Sequence, residues 1–82
     1  MNNFKSFKEL CENLMCSSDV EFEYNGKEYS ITPIDEGISI LEKYNYSTEQ
    51  TYIDIVDVGD YVIGNKLLKD IVRDLKVTLR SF

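Results

Sequence analysis

Over the first sixteen positions, apolar side chains fall at Phe4, Phe7, Leu10, Cys11, Leu14 and Met15. Steps of three and four residues put them on one stripe of an amphipathic helix. Lys5, Lys8, Glu9, Glu12 and Asn13 occupy the opposite side. Asn2 or Asn3 is the expected N-cap, and Ser17-Ser18 ends the pattern. From Val20 the period changes to two: Val20, Phe22 and Tyr24 alternate with Glu21 and Glu23. Asn25-Gly26 follows, the pair best suited to the two positive φ angles of a type I′ hairpin turn. A two-residue loop fixes the register, with Tyr24 opposite Lys27, Glu23 opposite Glu28, Phe22 opposite Tyr29, Glu21 opposite Ser30 and Val20 opposite Ile31. Paired residues share a face, so Val20, Phe22, Tyr29 and Ile31 form an apolar face for the helix to cover. Glu21, Glu23, Glu28, Ser30 and Thr32 form a polar, acidic one.

Thr32-Pro33 is expected to stop the second strand, because proline cannot donate to a ladder. Asp35-Glu36-Gly37 reads as a turn, and Ile38, Ile40 and Glu42 alternate with Ser39 and Leu41 in a third strand reaching about Tyr44. Ser47 with Gln50 three residues later fits a capping box and predicts a short helix over 48–58, ended by Gly59. The rival reading there is a strand, since Ile53 and Ile55 alternate with Tyr52 and Asp54. Tyr61-Val62-Ile63 reads as extended, Gly64-Asn65 as a turn, and Asn65 as the cap of a last helix carrying Leu67, Leu68, Ile71, Val72 and Leu75. Val77 and Leu79 continue that helix or, in keeping with their spacing, form a short terminal strand. The expected fold class is α+β: a three- to four-stranded antiparallel sheet packed against an N-terminal and a C-terminal helix, in the order α-β-β-β-α-α.

Composition narrows this frame. The chain has 82 residues, 43% of them hydrophobic and 29% charged, with four glycines and one proline. That predicts one globular domain over residues 1–82, of modest stability at this size. Cys11 and Cys16, five residues apart on one helix, point too far apart to bridge. The chain has no histidine, so zinc would lack soft ligands. No apolar run approaches the ~20 residues of a membrane span, and Met1 to Phe7 lacks the apolar core of a signal peptide. These features predict a soluble, cytoplasmic protein with reduced thiols. Cys11 is expected as a small buried hydrophobe within the helix stripe.

Charge is unevenly spread. Residues 17–60 hold eleven acids against two lysines, whereas residues 61–82 hold five bases against two acids. An acidic middle repels phosphates and favours a basic partner surface. The basic residues Lys66, Lys69, Arg73, Lys76 and Arg80 are interrupted by Asp70 and Asp74, and a sequence pI of about 4.5 does not suit direct nucleic-acid binding.

Chemistry is thin. Without histidine the commonest general base is missing, serines and cysteines lack an activator, and the scattered glycines form no phosphate cradle. Asp54, Asp57 and Asp60 lack the alternating ligands and late glutamate of a calcium loop, so a solvated acidic helix edge is preferred. No enzyme, no metal and no cofactor is expected. Six tyrosines are many for this length. Tyr29 and Tyr52 suit the core, while Tyr44 and Tyr46 fall in an expected loop and suit an interface.

The stretches DVEFEYNGKEYSITP (19–33) and VIGNKLLKDIV (62–72) resemble small phage and prophage proteins of low-GC Gram-positive bacteria. The resemblance rests on structural motifs and carries over no catalytic residue. It implies an accessory protein of a mobile element, and in that setting small acidic proteins are often anti-defence inhibitors of the anti-CRISPR kind. The expected function is therefore a non-catalytic binder whose Glu21, Glu23, Glu28, Asp35 and Glu36, with Tyr44 and Tyr46, meet the basic surface of a protein partner such as a host defence nuclease. A homodimer joined through a sheet edge or the Tyr44/Tyr46 loop, and a small-ligand binder, remain as alternatives. The Glu23–Glu28 opposition itself reads two ways: as part of a binding face, or as a guard against sheet-to-sheet pairing.

Overall fold

The computed structural model describes residues 2–81. Along the chain come α1 (Phe7–Met15), β1 (Val20–Tyr24), β2 (Lys27–Ile34), β3 (Gly37–Glu42), β4 (Asn45–Tyr52) and a 3-10 turn (Ile55–Asp60). They are followed by β5 (Val62–Ile63), β6 (Lys66–Leu67), α2 (Leu68–Ile71), a second 3-10 turn (Val72–Asp74) and β7 (Lys76–Leu79). Five strands form an antiparallel sheet in the order β4-β3-β2-β1-β7, and β5 pairs with β6 in a separate small hairpin. The α+β class is as the sequence predicts, with one more strand in the main sheet.

The β1–β2 hairpin forms in the expected register at every pair, from Tyr24↔Lys27 to Val20↔Ile31. Asn25 and Gly26 both adopt positive φ, 51° and 79°, as a type I′ turn requires. Val20, Phe22, Tyr29 and Ile31 are buried on one face, joined there by Ile38, Ile40 and Val77. They pack against Leu10 and Leu14 of α1, Val58 of the first 3-10 turn, and Leu68, Ile71, Val72 and Leu75. Phe22 and Tyr29 stack across the hairpin with ring centroids 5.2 Å apart. Each such buried aliphatic or aromatic side chain contributes about 1.5–3 kcal/mol relative to exposure.

Several expectations are corrected. The first helix begins at Phe7, because Ser6 caps it by accepting from the Glu9 N–H at 3.2 Å. Phe4 lies outside the helix yet is buried, and Met15 is 70% exposed. Cys11 is half-buried; burial, with the Glu12 carboxylate beside it, raises its thiol pKa and suits an unreactive group. Asn13, expected outward, is fully buried, and its Oδ1 accepts from the Ser81 N–H at 3.0 Å. Asn3 serves the terminal strand instead of the helix, accepting from the Val77 N–H at 3.0 Å.

Pro33 does not end β2, which pairs with β3 as far as Ile34↔Gly37. It lies beyond the last β1 pair, Val20↔Ile31, where one side of β2 has no neighbour needing an N–H. The predicted helix over 48–58 is replaced by β4 and the first 3-10 turn. The side chains that read as a cap serve the β3–β4 turn: Ser47 Oγ donates to Asn45 Oδ1, while Thr48 Oγ1 donates to the Asn45 carbonyl and accepts from the Glu42 N–H. The last helix is likewise short, because Lys66-Leu67 pair with Val62-Ile63 before it starts. The expected basic helix therefore does not form, and its five cations are spread over four elements and the chain end.

The chain ends are tied together through Arg80. Its guanidinium lies 4.2 Å from the Phe4 ring centroid, pairs with Glu9 at 3.0 Å and donates to the carbonyls of Asn2 and Asn3. At 8% side-chain exposure it is a structural cation, and is lost to any binding stripe. Gly37 is fixed by close approach: its φ is 143°, and a Cβ there would sit 2.0 Å from the Tyr52 carbonyl oxygen.

Candidate functional site

Because the core covers one face of the five-stranded sheet, the register assigns alternate residues to the other, uncovered face. Glu21, Glu23, Glu28, Ser30 and Thr32 lie there together, joined by Ser39, Leu41 and Thr51 of β3 and β4. Glu49 adds a fourth carboxylate, accepting from the Ser39 hydroxyl at 2.5 Å.

The Glu23–Glu28 opposition is real, and its neighbours change its meaning. On the β7 side Lys76 stands opposite Glu23. On the β3 side Lys43 donates its backbone N–H to the Glu28 carbonyl at 2.8 Å, while its ammonium pairs with Glu21 at 2.5 Å. The row thus reads Lys76, Glu23, Glu28, Lys43, a repulsive pair bracketed by two cations. The hydrogen bond to Glu21 raises the Lys43 pKa above the ordinary lysine value. The face carries four carboxylates and two lysines, which is less acidic than the hairpin alone implies.

The other expected site residues are dispersed. Asp35 and Glu36 form the β2–β3 turn, seven residues along β2 from Glu28, or about 23 Å at the rise of an extended strand. Tyr44 and Tyr46 stand at the other end, beside Lys43, with 89% and 78% exposure. Tyr44 has a φ of 66°, a turn conformation that throws its ring into solvent. Glu21, Glu23 and Glu28 therefore lie toward the same end of the sheet as this tyrosine pair, and Asp35 with Glu36 is a separate rim. Asp54 precedes the first 3-10 turn and Asp57 and Asp60 lie within it, all three exposed, with Asp60 paired to Lys69 at 3.3 Å.

On the core side of the sheet, past the end of the apolar packing, lies a groove of about 480 Å³. Tyr29, Tyr52 and Tyr61 line it together with Lys27, Glu42 and Gln50. Burial raises the phenol pKa of all three tyrosines, so they remain neutral hydrogen-bonding groups. The Tyr61 hydroxyl donates to the Thr48 carbonyl at 3.1 Å. In the sequence this groove has one signal: Glu42 falls in phase with Ile38 and Ile40. Among the described residues no three Cys, Asp or Glu side chains converge on a metal position, and no helix is long and apolar enough to cross a membrane. Compared with known protein families, curated proteins and solved structures, the chain matches none.

Proposed function

We propose that the chain is a non-catalytic interaction protein that applies the uncovered face of its sheet to a basic surface of a protein partner. The observation that carries this reading is the one-sided packing: the core lies on one face of β4-β3-β2-β1-β7, and the opposite face gathers Glu21, Glu23, Glu28 and Glu49. Leu41 and the exposed Ile34 share that face, supplying apolar contact among the charges, as interfaces do. Carboxylates meeting Lys or Arg form charge-assisted hydrogen bonds, and the surrounding field steers encounter. The most specific form rests on the phage-protein resemblance: an inhibitor whose carboxylates take the place of phosphates on a host defence nuclease.

The bracketing lysines dictate the test. Reversal of Glu23 and Glu28 to lysine would set new cations beside Lys76 and Lys43, so Glu23→Gln with Glu28→Gln is the cleaner variant. Binding of a short oligo-arginine peptide should weaken about tenfold in the double variant and slow as salt rises. Equal affinity for both proteins would end the acidic-face reading.

A second reading, a homodimer, is favoured by one contrast between the sheet edges. Asn3 blunts the β7 edge through its bond to Val77. The β4 edge runs eight residues, NYSTEQTY, with neither lysine nor proline, the usual protections of a free edge. Light scattering over a concentration series should show the mass doubling if β4 pairs with a second copy. A constant monomer mass up to high concentration removes this reading.

A further inference from the structure

Two positions on the core-side face of the sheet break the alternation that built it. Glu42 stands directly opposite Tyr29, and Gln50 directly opposite Ile40. Strand parity makes both positions continuations of the core-side face; Glu42 is half-buried there, where an apolar residue would stabilise the sheet, and Gln50 is exposed on the edge strand. Both line the 480 Å³ groove beside Tyr29, Tyr52 and Tyr61. The groove runs on into a smaller recess of about 260 Å³ shared through Lys27, Tyr29, Ile63 and Gly64 and bordered by Tyr24. Its size falls in the range that holds small organic ligands.

Two carboxylates line the groove and they differ: Asp60 is 60% exposed and already pairs with Lys69 at 3.3 Å. Glu42 meets Lys27 only at 3.9 Å, the outer limit of an ion pair, and Lys27 is 63% exposed against 25% for Glu42. The carboxylate is therefore the sheltered partner and the lysine the one that swings away without cost to packing. Sheltered carboxylate and tyrosine rings together suit an organic cation, because the ring faces attract positive charge and the carboxylate neutralises it. The geometry points to a binding site for a small organic ammonium in this groove, with Glu42 as its counter-ion, the three tyrosines as its walls and Lys27 as the group it displaces. The site lies on the opposite side of the sheet from the acidic face, and stands whether or not that face binds a partner.

Choline and its neutral carbon isostere 3,3-dimethylbutanol make the decisive pair of probes, followed by amide chemical shifts of the full chain. Choline should give saturable shifts at Glu42, Gln50, Tyr52 and Tyr61 and bind about tenfold tighter than the neutral alcohol. Glu42→Gln should abolish that difference. Lys27→Ala, a change at an exposed side chain that leaves the fold in place, should tighten choline binding several-fold by removing the competitor. Equal binding of choline and the alcohol, choline shifts confined to the acidic face, no saturable shift at all, or unchanged affinity in Lys27→Ala would each overturn the assignment.

Discussion

Replacing Lys76 by glutamate probes the bracketed row directly. The register sets Lys76 against Glu23 on one side, and Glu23 against Glu28 on the other. Cross-strand charge pairs contribute about 0.2–1 kcal/mol, favourable for opposite and unfavourable for like signs. Lys76 and Glu23 make no ion pair within 4 Å among the described residues, and Lys76 is exposed, so the lower half of that range applies to each sign. Lys76→Glu should then cost about 0.5–1 kcal/mol, a fall in Tm of about 2–8 °C for a domain of this size. Thermal unfolding followed by circular dichroism at low salt reads the loss. In about 1 M salt, with a Debye length of about 3 Å, most of it should vanish. In a Glu23→Gln background the substitution should be nearly neutral. The companion variant is Glu28→Lys: it relieves Glu23 but faces Lys43, so its Tm should hardly move. A clear rise in Tm for Glu28→Lys, or a loss for Lys76→Glu that persists at high salt, would refute the bracketed row.

Other perturbations read other parts of the structure. Gly37→Ala should cost at least about 2 kcal/mol, because its Cβ meets the Tyr52 carbonyl, whereas Gly64→Ala, with φ of 66° and open space around it, should cost about 1 kcal/mol; urea midpoints of the two variants compare them. Arg80→Ala should destabilise by about 2–4 kcal/mol, as it removes the cation from Phe4, Glu9 and the two N-terminal carbonyls, and amide exchange should show residues 2–6 loosening first. Burial raises the pKa of Tyr29, Tyr52 and Tyr61 above the ordinary value of about 10, so the unfolded chain releases those protons first. Stability should hold below about pH 10 and fall as pH rises through the folded values, with phenolate absorbance appearing in step with unfolding.

What the sequence disclosed follows how local the controlling interactions are. The β1–β2 hairpin was legible pair by pair because a two-residue Asn-Gly loop leaves one register. The last strand was legible in its spacing of two, but its place beside β1 was not, because that pairing joins residues more than fifty apart. β4 misled for a physical reason: only Thr48, Gln50 and Tyr52 line the core side of this edge strand, so no apolar period marks it, and the side chains of Ser47 and Thr48 imitate a helix cap while bonding Asn45. The acidic face was read correctly as a face, since alternation alone places Glu21, Glu23 and Glu28 together. Its charge was misjudged, because Lys43 and Lys76 arrive from β3–β4 and β7. Both lysines flank the Glu23–Glu28 pair within the sheet, so its presence does not by itself require a partner.

Whether the uncovered sheet face docks basic groups is decided by a chemical-shift map with an oligo-arginine peptide. Saturable shifts are expected at Glu21, Glu23, Glu28, Ser30, Leu41 and Glu49, spreading to Tyr44 and Tyr46 and fading with salt. Shifts centred instead on Asp54, Asp57 and Asp60, or on Asp35 and Glu36, with the sheet face silent, would contradict such docking.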